Sequence, residues 1–110
     1  MRLISYEELD LLDNDPVRPH INKIDIGKQV YVLDDLTAVI CICYCTNIPT
    51  NEKELEEYRD DTGSIMTAYT VWSSKKGAGR TIVNNLLDIA KDTHVKLSLI
   101  HISEPTRLGF

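Results

Sequence analysis

Residues 67–90 read TAYTVWSSKKGAGRTIVNNLLDIA, and the fold turns on how this stretch is divided. Residues 65–72 mix β-branched, aromatic and small side chains and predict a strand. Ile65, Thr67, Tyr69 and Val71 fall on one face, and Met66, Ala68, Thr70 and Trp72 on the other. The next residues, Ser73 to Gly79 (SSKKGAG), form a short loop in which Gly77 and Gly79 permit a tight turn and close approach of a ligand to the backbone. From Arg80 the apolar Ile82, Val83, Leu86, Leu87 and Ala90 recur at helical spacing, with Asn84, Asn85, Asp88 and Lys91 opposite. A strand, a glycine loop and an amphipathic helix follow in order, and the helix starts near Gly79 or Arg80 with its first turn at the loop.

Such a terminus favours an anion, because the first amides of a helix lack intrahelical acceptors and the dipole places partial positive charge there. Lys75, Lys76 and Arg80 add to that preference. The same residues also suit a plain β-to-α connection whose lysines only solvate the surface. Two nucleotide motifs are excluded. A Walker A loop needs its second glycine followed directly by Lys and Ser or Thr, whereas Arg80 and Thr81 follow Gly79. The dinucleotide fingerprint fails because no third glycine follows Gly77 and Gly79 at the required spacing.

The segment resembles motif A of the GNAT superfamily of acyl-CoA-dependent N-acyltransferases, a strand ending in Arg or Gln-x-x-Gly-x-Gly or Ala and then a helix. Gly77, Ala78 and Gly79 fill the glycine half, and Arg80 opens the helix. Ser74 stands in the Arg or Gln slot, and the loop from Val71 is shorter than usual in the family. The resemblance implies an α/β (α+β) fold, with a mixed, mostly antiparallel central sheet flanked by helices. It implies acetyl-CoA as acyl donor, a small-molecule or protein amine as acceptor, and no metal. Lys76, Gly77, Ala78, Gly79, Arg80 and Thr81 would anchor the pyrophosphate, mostly through amides. The backbone of Val71, Trp72 and Ser73 would line the pantetheine, often at a bulge in this family. Trp72 fits core packing equally well. No residue is assigned as general acid or base, with Glu57 and Tyr69 as weaker candidates for a base or polar contact.

The 110 residues suffice for one domain with a single core. A formal charge of −5 argues against a nucleic-acid partner, whose footprint is a basic stripe. No signal peptide and no apolar run of about 20 residues stands out, so a soluble cytoplasmic protein with no membrane partner is expected.

Residues 1–4 predict a short first strand, and Ser5 with Glu8 a capping box opening a helix over residues 6–12, Leu9 and Leu12 inward. Asp15 and Pro16 predict the start of a second helix, cut short by Pro19. His20, beside a turn, reads as structural or solvated. Residues 28–33 predict a strand, Asp34 and Asp35 a turn, and residues 37–45 (TAVICICYC) a central strand covered on both faces. Val39, Cys41, Cys43 and Cys45 share one face, Ile40, Ile42 and Tyr44 the other. Cysteines at that spacing lie too far apart to close on one zinc and pair poorly as disulfides, so they read as small buried hydrophobes in a reducing compartment. The polar residues 46–64 predict a brief helical turn over 53–58 and a turn at 61–63. Their acidic cluster (Glu54, Glu56, Glu57, Asp60 and Asp61) either attracts an amine or solvates a face.

Val95 and Lys96 open a fifth strand, and residues 97–107 (LSLIHISEPTR) then resemble the translated transposon-end adapter of Nextera-type sequencing libraries. The expected division is therefore 1–96, the amino-terminal part of a GNAT-like domain whose carboxy-terminal part is missing, and 97–110, a non-native tail. His101 and Glu104 carry no functional weight on that basis, and the chain as it stands is expected to be inactive. The alternative is a catalytically silent GNAT-like structural or interaction protein, for instance of a phage. A third reading is a small α/β domain for another phosphate ligand.

Overall fold

Strand β3 (Ala38–Cys45) lies at the centre of a five-stranded sheet in the computed structural model, which describes residues 1–100. The strands lie in chain order: β1 (Arg2–Leu3), β2 (Lys28–Val32), β3, β4 (Ile65–Ser73) and β5 (Lys96–Leu99). The first three pairings are antiparallel; a short return joins β2 to β3, while residues 4–27 and 46–64 make the longer connections on either side. β5 is parallel to β4, because helix α2 (Ala78–Thr93) crosses between them and returns the chain to the starting end. The result is the expected α+β fold with a mixed, mostly antiparallel sheet. Its other helices are a 3₁₀ segment, Tyr6–Asn14, and α1, Glu52–Tyr58.

The sheet is covered on both faces. On one, Ala78, Ile82 and Leu86 of α2 pack on Ile40, Ile42, Met66, Ala68 and Val71. On the other, Val30, Val32, Val39, Cys41, Cys43, Cys45, Tyr69 and Trp72 lie beneath Leu55 of α1 and the partly buried Leu11, Leu12 and Ile21. This accounts for the apolar character of both faces of β3, whose residues are buried except for the half-buried Tyr44.

β4 does not alternate as expected. Cys41 pairs with Thr70 and Ile42 with Ala68, so Tyr69 is an extra residue, a bulge. An extra residue reverses the alternation beyond it. Tyr69 and Thr70 both point to the α1 side, Val71 to the α2 side and Trp72 back to the α1 side. Val71 therefore parts from Tyr69, and Trp72 from Ala68.

Other elements depart more locally. The first helix is 3₁₀ rather than α; the Ser5 N–H donates to Glu8 Oε1 at 3.0 Å, and Leu11, rather than the expected Leu9, joins Leu12 against the core. No helix follows Asp15. Its Oδ1 instead accepts the Val17 and Arg18 N–H groups at 2.7 and 3.0 Å, cap chemistry used for a turn before Pro19. Helix α2 begins at Ala78, and Leu87 points outward at 39% exposure. The inward stripe is Ile82, Leu86 and Ala90, flanked by Val83 and Ile89. Leu97 and Leu99 belong to β5, opposite Met66 and Ala68; His101 and Glu104 lie outside the described residues. Among the described residues no helix is long and apolar enough to cross a membrane.

Candidate functional site

Residues 74–77 link β4 to α2, and one glycine makes the turn. Gly77 is the N-cap of α2 at φ 86°, a left-handed conformation that disfavours any side chain. A Cβ added there would have nothing within 4 Å, so the turn opens onto free space. Gly79 contributes differently: it is a buried residue of the first helical turn.

The loop's hydrogen bonds fall into two groups. The Ser74 N–H donates to the Thr37 carbonyl at 2.9 Å and the Ala78 N–H to the Lys75 carbonyl at 3.0 Å. The Thr81 N–H and hydroxyl both donate to the Gly77 carbonyl at 3.1 Å, which commits Thr81 to the helix. The N–H groups of Lys75, Lys76, Gly77 and Gly79 find no acceptor among the described residues. These amides, with the exposed Lys75, Lys76 and Arg80 around them, gather positive charge at one open turn, an arrangement that suits a phosphate-like anion. One acid lies close by: Asp35, whose carboxyl is held below its ordinary range by its hydrogen bonds with Thr37 and, more weakly, by Lys75.

The strand leading into this loop is paired on its β5 side over only part of its length among the described residues. β5 pairs with β4 only from Ile65 to Ala68, and the last bond runs from the Ile100 N–H to the Ala68 carbonyl at 3.2 Å. From the Tyr69 bulge to Ser73 no described strand covers that edge. Of the pantetheine candidates, Val71 is buried under α2, Trp72 lies in the opposite core at 9% exposure, and Ser73 is half-buried opposite Ala38. The Val71 and Trp72 side chains are core, which leaves their backbone for any contact.

Charged residues fill the α1 side in a way that periodicity did not reveal. Lys23 Nζ lies 2.9 Å from Asp15 Oδ2 and donates to the Arg18 and Ile21 carbonyls at 2.9 and 3.2 Å, both side chains being buried. Burial, the largest influence on Asp15, pushes its carboxyl up. Hydrogen bonds from the Arg18 N–H, Lys23, the Val17 N–H and Thr70 outweigh it and hold the group below its usual range. Lys28 Nζ reaches Glu56 at 2.7 Å and the Asn22 carbonyl at 2.6 Å, and sits 5.9 Å from the Tyr69 ring centre. The Tyr69 hydroxyl is buried without a hydrogen-bond partner, and desolvation pushes its pKa up.

The acidic stretch is largely used inside the protein. Glu54 accepts from Thr50, Glu56 pairs with Lys28 and Arg59, and Asp60 accepts from Thr62. Glu57 is exposed on α1. His20 is exposed and holds Glu52 Oε1 through Nε2 at 2.7 Å, while Arg18 Nε lies 3.1 Å from the other Glu52 oxygen. The three cysteines are free, buried thiols, and burial pushes each of them up, Cys43 to about 12. No described group of three or more His, Cys, Asp or Glu is arranged to hold a metal ion.

No protein-family model matches the chain, and no curated protein does.

Proposed function

We propose that this chain carries the donor half of an acyl-CoA-dependent N-acyltransferase, which moves an acetyl group from acetyl-CoA to an amine. The support is one juxtaposition. Amides at Lys75, Lys76, Gly77 and Gly79 that have no acceptor among the described residues sit at the end of a strand that no described strand joins on its β5 side from Tyr69 onward. Coenzyme A needs both features: a cradle for its pyrophosphate, and a strand edge whose N–H and C=O groups pair with the amides of its pantetheine arm.

In this reading Lys76 and Arg80 add charge to the phosphate cradle while the amides fix its geometry. The pantetheine runs back along β4 and brings the thioester to the bulge at Tyr69. The amine nitrogen attacks the thioester carbonyl carbon; a C–N bond forms and the C–S bond breaks. CoA leaves as the thiolate, and the proton lost by the amine balances it. The protein's contribution is to position the two reactants and to present β4 amides to the developing oxyanion.

Calorimetric titration of the full chain with acetyl-CoA tests the donor site, with AMP and ATP as competitors. Saturable acetyl-CoA binding that is lost on Gly77→Val, and that AMP and ATP displace only weakly, is the expected result. Equal displacement by AMP would favour a general phosphate site. Absence of acetyl-CoA binding would leave a structural or interaction role as the better account.

A further inference from the structure

A cleft of about 500 Å³ opens on the α1 side of the sheet, lined by Arg18, Thr50, Asn51, Glu52, Lys53 and Ile100. Ile100 fixes its place in the fold. The Ile100 N–H makes the last described bond between the β5 end of the chain and β4, to Ala68, and its side chain belongs to the core that includes Tyr69. The cleft therefore lies beside the β4 bulge, on the face opposite α2. On the reading above, that is where an acceptor would meet the thioester.

Its charges indicate what kind of acceptor. Glu52 is the one carboxylate among the described lining residues, and it is already held by Arg18 at 3.1 Å and His20 at 2.7 Å. The Thr50 hydroxyl donates to Glu54 at 2.7 Å, and the Asn51 side-chain oxygen accepts the Glu54 N–H at 2.8 Å. Lys53 has no ion pair among the described residues. Lys53 is thus the lining cation left to pair with a bound carboxylate, while the Glu54 carboxylate on Thr50, at 2.7 Å, can face an ammonium. A plain alkylamine or a polyamine would offer Lys53 no carboxylate, whereas an amine that also bears one would complement both groups.

We propose that the cleft binds an amine carrying its own carboxylate, of the amino-acid class, with the carboxylate on Lys53 and the apolar part of the molecule against Ile100. This rests on the acyltransfer reading for its role as acceptor, though not for its binding.

The test is a titration of the isotopically labelled full chain, followed by amide NMR. The probes are L-leucine and 3-methylbutylamine, which is leucine without its carboxylate, with spermidine as the polycation. L-leucine should shift the Asn51, Lys53 and Ile100 amides and bind more tightly than 3-methylbutylamine by up to about fivefold, the upper end for one exposed ion pair. Lys53→Gln should abolish that preference, and Lys53→Arg should keep it. The proposal is overturned if leucine leaves the cleft amides unmoved, if either carboxylate-free amine binds as tightly, or if Lys53→Gln leaves the preference intact. A separate titration with acetyl-CoA reports on residues 75–79. Its failure would sink the acyltransfer reading and leave the leucine result to judge the cleft independently.

Discussion

The Thr70 hydroxyl donates to Asp15 Oδ1 at 3.0 Å across 55 positions of sequence. This bond ties the segment after the 3₁₀ helix to β4 one residue beyond the bulge, and Lys23 closes the same carboxylate from the other side. Removing one member of a buried ion pair leaves its partner charged and desolvated, which costs about 3–5 kcal/mol. Asp15→Ala should therefore lower the unfolding free energy by that amount in urea melts. The double variant Asp15→Ala/Lys23→Met should recover much of the loss, since it leaves no buried charge behind.

Acid should weaken the amino-terminal region through two carboxylates. Glu8 is held down at about 2, first by the Arg2 guanidinium, which it grips at 2.8 and 2.7 Å, and then by the Ser5 N–H. Asp15 is also depressed. Groups whose folded pKa lies below the unfolded one add stability that is fully present above the unfolded value, near 4, and is lost as pH falls through the folded value. Unfolding free energy should thus fall as pH drops from about 4 toward 2. Glu8→Gln should flatten that slope; an unchanged slope would show that the Arg2 contact adds nothing.

Two glycines should respond differently to alanine. At Gly63 a Cβ would run into the Cys45 backbone, its nitrogen at 2.8 Å, so the turn into β4 must move. Gly63→Ala should be strongly destabilising, by more than about 3 kcal/mol. At Gly77 the space is open and only the positive φ is unfavourable, so Gly77→Ala should cost about 1–2 kcal/mol. Thermal melts of the two variants would show the order.

The cysteines should be chemically silent in the folded protein. Cys41, Cys43 and Cys45 are fully buried, and desolvation first among the causes raises all three. Little thiolate exists at neutral pH, and a reagent must wait for the chain to open. A disulfide-exchange dye should titrate no thiol in native buffer and all three in guanidinium. Rapid labelling of the native state would contradict the packing on the α1 side.

Much of this architecture was legible because it is local. The alternation in residues 28–33, the apolar run over 37–45 and the helical spacing after Arg80 each act over a few residues and produced the expected element, and the capping pair Ser5 and Glu8 opened a helix that winds as 3₁₀. The Gly77 turn was legible for the same reason. The bulge at Tyr69 was not, because it is a mismatch in count between β4 and β3, and nothing within β4 records its partner's register. Nothing in the sequence marks Lys23 and Lys28 as buried, since lysine is rarely so; only the folded chain brings Asp15 and Glu56 to meet them. The cleft joins residues 18, 50–53 and 100, which lie far apart in the chain. From its own periodicities the sequence determined the main strands, the long second α-helix and the glycine turn that precedes it. Tertiary structure alone decided which side chains crossed the sheet after the bulge, where the charges were buried, and which acids were left to face solvent, because each depends on a partner distant in sequence.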